Sequence, residues 1–234
     1  DPQAALVWAN TLSDEMKGDA MNNIVEQLTS QDPLEAAKVA MGFDGEQRER
    51  SLRTIADQWS RNEPEEAVKW AESLTVEGKT QALEEAVESW VGKDTDAAVA
   101  YMAKMDQGER DEIMKEVVEQ WGRKGAEAQP AAAEWVAAQP DGEGKIDATG
   151  EIVGQWMRTD AESASGWLNE QPEGDAKDRG IAALLRDRSV REDPEAAVAW
   201  ADSISNSEMR SEQVSRSARS WLASDMAAAL EYLE

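Results

Sequence analysis

The sequence predicts an all-α chain in which about seven and a half two-helix units stack in line as one solenoid spanning residues 1–234. Three observations predict it: a column of alanines, two aromatic columns in register with it, and an acidic residue followed by proline where units begin. With units starting at Asp1, Asp32, Glu63, Asp94, Ala128, Asp160, Asp193 and Asp225, successive spacings are 31, 31, 31, 34, 32, 33 and 32. Self-similarity at such a period marks a repeat array, where no unit buries its apolar face alone and each packs on its neighbours.

The first helix of each unit, helix A, opens at Asp1-Pro2, Asp32-Pro33, Asp193-Pro194 and the variant Glu63-Pro64. An acidic N-cap accepts hydrogen bonds from orphan amides, and proline in the first turn gives up a donor that had no partner. Four residues on lies Ala5, Ala36, Ala67, Ala98, Ala132, Ala164, Ala197 or Ala229; three further lies Trp8, Val39, Trp70, Tyr101, Trp135, Trp167, Trp200 or Tyr232. The small residue lets helix backbones approach and leaves room for the ring. Loops are expected at Gly42–Gly45, Val76–Lys79, Asp106–Glu109, Pro140–Gly144, Pro172–Asp175 and Ser205–Ser207.

Helix B follows with apolar residues at i, i+3, i+4 and i+7, as in Leu52/Ile55/Ala56/Trp59 and Leu83/Ala86/Val87/Trp90, one stripe of an amphipathic helix. Its closing column reads Leu28, Trp59, Trp90, Trp121, Trp156, Ser189 and Trp221, with Trp121 displaced by three residues around Gly125. The two aromatic columns account for all ten tryptophans, which assigns them to the core rather than to a ligand platform. Each indole N–H is expected to find a partner at a helix end or at the surface, since burying it unpaired is costly.

The stretch Asp193-Pro-Glu-Ala-Ala197-Val-Ala-Trp200 resembles the junction between consecutive tetratricopeptide repeats. The resemblance spans the chain as a pattern, without that family's Leu-Gly-x-x-Tyr and with a second tryptophan column foreign to it. It implies a right-handed αα-superhelix of helix-turn-helix repeats of 31–34 residues, with a concave groove that binds peptides or protein partners.

Composition narrows the chemistry. The chain has no cysteine or histidine, which removes thiolate nucleophiles and the commonest general base and metal ligand. Catalysis would fall to carboxylates, and pairs such as Glu65/Glu66, Glu84/Glu85 and Asp111/Glu112 read as solvated helix surface. Ser217 and Ser220, beside Arg216 and Arg219, lack a triad partner, and Asp141–Asp147 lacks the alternating ligands of a calcium loop. No catalytic residue, cofactor or metal is expected. The net charge of −25 disfavours nucleic acid, and no apolar run reaches the ~18 residues that span a bilayer. The chain opens at Asp1 without an initiator Met, as a processed product or excised fragment does. A bacterial periplasmic or extracellular setting is expected ahead of a cytoplasmic one.

Two places break the pattern. Residues 177–219 hold eight acids and eight bases, against 38 acids and 16 bases before them. There the sixth helix B, read as Ile181–Arg191, replaces its closing tryptophan with Ser189 and carries Arg186, Arg188 and Arg191, a candidate docking point for an acidic partner. At the C-terminal end Trp221, Leu222, Leu230 and Leu233 read as interior residues, candidates for an end-to-end contact between copies. The expected function is a non-enzymatic protein- or peptide-binding scaffold, its partner a basic protein or the chain itself. The alternative is a structural protein that stacks end to end into an assembly or filament.

Overall fold

The computed structural model describes residues 2–75 and 77–232, and these are all-helical, with no strand among them. Leu233 lies outside the described residues. The chain divides into two compact units at Val117/Val118, a boundary inside one helix.

In the first unit, α1 (Pro2–Ala9) pairs with α2 (Asp14–Thr29), α3 (Pro33–Met41) with α4 (Gly45–Ser60), and α5 (Pro64–Ser73) with α6 (Lys79–Lys93). Next come α7 (Thr95–Met102) and α8 (Gln107–Gly122), in which the boundary falls. The long helices α2, α4 and α6 lie side by side, and α3 and α5 each touch the long helix on either side. Such short helices are marginal alone, and this wedging gives each a second apolar neighbour. Ala36, Ala67 and Ala98 are buried at the close approaches.

The second unit continues from the end of α8 through a 3₁₀ turn (Ala126–Ala128) to α9 (Gln129–Ala137) and α10 (Glu143–Trp156). Gly125 makes room for this longer connection with φ +124°, a left-handed conformation that favours glycine. Then follow α11 (Ala161–Glu170), α12 (Asp175–Leu184), a four-residue α13 (Arg188–Arg191), α14 (Pro194–Asp202), α15 (Ser207–Ser224) and α16 (Met226–Tyr232). Helix α10 packs on α12 with α11 against both, while α14 touches α12, α13 and α15. At Gly180 a β-carbon would come within 2.6 Å of Leu168 Cδ1, so a larger residue there would displace that leucine where α12 approaches α11.

The caps follow the sequence, with one exception. Asp32, Asp94, Asp160, Asp193 and Asp225 each accept a bond from the amide three residues on, at 3.0–3.1 Å. Glu63 does not cap α5. Its longer side chain instead reaches back to accept from Trp59 Nε1 at 3.1 Å. Among the described residues no buried indole nitrogen lacks a partner.

The sixth helix B also departs from its reading. It does not run continuously to Arg191: α12 ends at Leu184 and the chain turns before α13. Asp187 accepts from both the amide and the hydroxyl of Ser189, at 2.9 and 2.7 Å. That local cap offers the backbone an alternative to continuing the helix. The turn also places both Leu184 and Leu185 inward.

Candidate protein-docking site

The two aromatic columns form one system. Each closing ring meets the opening ring of the next unit: Trp59 with Trp70, Trp90 with Tyr101, Trp121 with Trp135 and Trp156 with Trp167. All four pairs are tilted, with centroids 5.7, 5.3, 5.9 and 6.3 Å apart, a separation at which aromatic quadrupoles attract. Three are eleven residues apart in sequence, and Leu28 and Val39 stand at the same separation as an aliphatic version, both buried. The closing rings are core, while Tyr101, Trp135, Trp167 and Trp200 keep part of their surface in solvent. Trp8 is the outlier at 57% exposure, contrary to its core assignment from sequence.

Trp8 stands at the edge of a groove of about 590 Å³ between α1 and α2. Its apolar lining comes from Ala5, Trp8 and Leu12 on one side and Met16, Ile24 and Leu28 on the other, with Asp19 supplying an acidic edge. The residues 31 positions on from Ala5, Trp8, Ala20, Ile24 and Leu28 are Ala36, Val39, Ser51, Ile55 and Trp59, all buried. Helix α2 packs against both α3 and α4, the helices that carry that equivalent surface. The groove thus corresponds, in the first repeat, to the surface that α2 covers in the second.

A second concavity, of about 620 Å³, is bordered by Trp167, Lys145, Lys177 and the loops at 141–143 and 171–175. Both its lysines are engaged: Lys145 donates to the carbonyl of Gln139 and to Asp141, and Lys177 to the carbonyls of Asn169 and Gln171. These belong to a column that sequence reasoning missed: Lys17, Arg48, Lys79, Arg110, Lys145, Lys177 and Arg210, one base per unit at the repeat period. Arg48 donates to Phe43 O and Arg210 to Ile204 O in the same manner. A cation placed on carbonyls at or just past the end of helix A satisfies acceptors of that connection and complements the helix dipole. Its regularity at the alanine period was the signal available in the sequence.

The sequence-singled residues are dispersed. Arg188 pairs with Glu192 at 2.7 Å, and Arg191 Nε donates to Asp187 O within the same turn. Arg186 is exposed at the end of α12, beside a shallow hollow that also includes Arg158, Glu151 and Asp187. The three arginines therefore do not converge. Trp221 is buried with Val198 and Ala229, with Leu222 half-buried against them, so Trp221 offers no free surface. Among the described residues of that set, Leu230 alone presents a large apolar area, at 53% exposure.

The acidic pairs separate by surroundings. Lys69 bridges Glu65 and Glu66 at 2.8 and 3.0 Å, and its hydrogen bond holds the Glu65 carboxyl below the ordinary range. Glu84 and Glu85 are pushed the other way, first by partial burial and then by neighbouring carboxylates. Thr80 donates to Glu112 at 3.4 Å. The stretch Asp141–Asp147 is mostly helical, α10 beginning at Glu143, and Asp141 turns toward Lys145. Among the described residues no group of acidic side chains has metal-holding geometry, and no helix is long and apolar enough to cross a membrane.

Comparison with family models, curated proteins and solved structures returns no match.

Proposed function

We propose that this chain is a non-enzymatic protein-binding scaffold, and that the α1–α2 groove receives an amphipathic helix. The observation that carries this reading is the internal equivalence of surfaces. Ala5, Trp8, Ala20 and Ile24, exposed or half-buried in the groove, correspond one unit on to residues that are buried. A surface shaped and patterned for a helix, with Trp8 at 57% exposure, is the helix-in-groove mode of recognition. Asp19 at the groove edge favours a partner helix with basic flanks.

In the same reading the hairpins continue into a right-handed αα-superhelix of about 7.5 repeats. Its support is the side-by-side packing of long helices within each unit and the resemblance to tetratricopeptide repeats. Small-angle scattering of an elongated, superhelical particle is the expected result; a profile of two freely tumbling halves would overturn it.

The docking test titrates the full chain into a fluorescently labelled peptide of residues 79–93. That peptide carries the Leu83/Ala86/Val87/Trp90 stripe of a helix B. Saturable binding is expected, abolished by Ile24→Glu and unaffected by Arg186→Ala. Absence of saturation, or binding indifferent to Ile24→Glu, refutes the groove as the docking site. The exposed Leu230 favours the second reading, a chain that associates end to end.

A further inference from the structure

Two neighbouring repeats of the second compact unit share a loop that no other repeat has. It reads Gln139-Pro-Asp-Gly-Glu-Gly-Lys145 in one and Gln171-Pro-Glu-Gly-Asp-Ala-Lys177 in the next. At the position of the two glutamines, four other repeats carry an apolar residue, Phe43, Leu74, Met105 or Ile204, each of them buried. The glutamines are half-buried and fold back on their own helices, donating from Nε2 to the carbonyls of Trp135 and Trp167 at 2.9 and 3.0 Å.

These two loops border the hollow of about 620 Å³ between α9–α10 and α11–α12, a size that accepts a small ligand or several side chains. Its apolar lining comes from Ala137, Ile146, Pro172, Ala176 and the half-buried ring of Trp167. That ring is paired with Trp156 at 6.3 Å, so it is a fixed surface rather than a mobile one. The rim is acidic. Glu143, Glu173 and Asp175 are exposed and form no ion pair among the described residues. Lys145 and Lys177 do not neutralise them, because both are turned onto carbonyls of the chain.

We infer that this hollow receives an arginine side chain of a protein partner, together with an apolar neighbour from the same segment. The face of an indole attracts a cation. A guanidinium stacks flat on such a ring and still keeps edge donors for carboxylates, which a lysine ammonium does less well. Glu173 and Asp175 on one loop and Glu143 on the other supply those acceptors, and Ile146 and Ala176 offer the apolar neighbour its contact. An acidic or phosphorylated segment would meet like charge at the rim. The site lies within one compact unit and does not depend on the α1–α2 groove.

The test follows the full chain by NMR while a blocked Gly-Ser-Leu-Arg-Leu-Ser-Gly peptide is titrated. The reporter is the indole N–H resonance of Trp167, assigned through Trp167→Phe. A saturable shift of that resonance is expected, with affinity about tenfold weaker when glutamine replaces the arginine. Glu173→Gln with Asp175→Asn should also weaken binding by about tenfold. The same change of charge at the starts of α11 and α14, Glu162→Gln with Glu195→Gln, should leave it unaltered. Gln171→Leu places in the hollow the residue that Leu74 supplies elsewhere, and should abolish binding while circular dichroism stays helical. An unmoved Trp167 resonance, equal affinity for the glutamine peptide, or wild-type binding by Gln171→Leu would overturn the inference. Equal losses from the two charge-changed variants would overturn it in favour of general attraction to an acidic chain. If the 79–93 peptide still saturates in that event, the α1–α2 groove stands without this site.

Discussion

Replacing Trp59 by alanine tests whether ring pairs between units hold the fold together. Trp59 is buried, 5.7 Å from the Trp70 centroid, and donates its indole N–H to Glu63 at 3.1 Å. Truncating a buried tryptophan costs about 3–5 kcal/mol, transfer and cavity terms combined. The tilted pair adds about 0.5–1.5 kcal/mol beyond area burial, while the bond to an exposed carboxylate adds less because water replaces it. Trp59→Ala and Trp70→Ala should therefore each cost about 4 kcal/mol, with the double variant cheaper than their sum by about 1 kcal/mol. The assay is urea denaturation followed by far-UV circular dichroism, since ten tryptophans confuse fluorescence. In a repeat structure a damaged segment can melt separately, so amide exchange of α4 and α5 should accompany it. The same cycle at Leu28 and Val39, without rings, should show weaker coupling. Additivity at Trp59/Trp70 within about 0.3 kcal/mol, or single losses below about 1 kcal/mol, would refute the ring-pair account.

Asp178 is buried and accepts from Ser205 N, Ser205 Oγ and Asn206 N at 2.7–2.8 Å. Asp178→Ala should cost about 2 kcal/mol by stranding those donors, and Asp178→Asn less, as read from thermal melts. Glu84 is raised first by partial burial, then by Glu116, Glu112, Glu88 and Glu85. A raised carboxyl ionises more easily in the unfolded chain, so its charge destabilises the fold at neutral pH and this penalty fades as pH falls through the folded value. Glu84→Gln should thus raise Tm at pH 7, with the gain vanishing near pH ~4; a constant gain across that window would refute the titration argument. Lys177→Met removes the cation from two helix-end carbonyls and should cost about 1–2 kcal/mol; no loss in the thermal melt would make the basic column a surface feature.

The repeat was legible because its signals are local. Spacing of i, i+3 and i+4, an aspartate cap and a first-turn proline act within one or two helical turns, so they fix where α3, α5, α11 and α14 begin whatever the neighbours do. The alanine column was legible for the same reason, since only a small residue fits a close helix approach. Glu63 shows the limit: its position promised a cap, yet one more methylene and a nearby indole sent it elsewhere. The sixth helix B shows it again, where Asp187 and Ser189 closed a local turn that the helical pattern concealed.

The α1–α2 groove could not be read from sequence at all. Trp8 and Trp70 occupy the same column with the same neighbouring alanine, but one is buried and the other exposed because only Trp70 has a helix packed in front of it. Periodicity determined which faces are apolar. Tertiary packing alone decided which of those faces found a neighbour, because burial belongs to a pair of surfaces and the sequence of one helix specifies only its own.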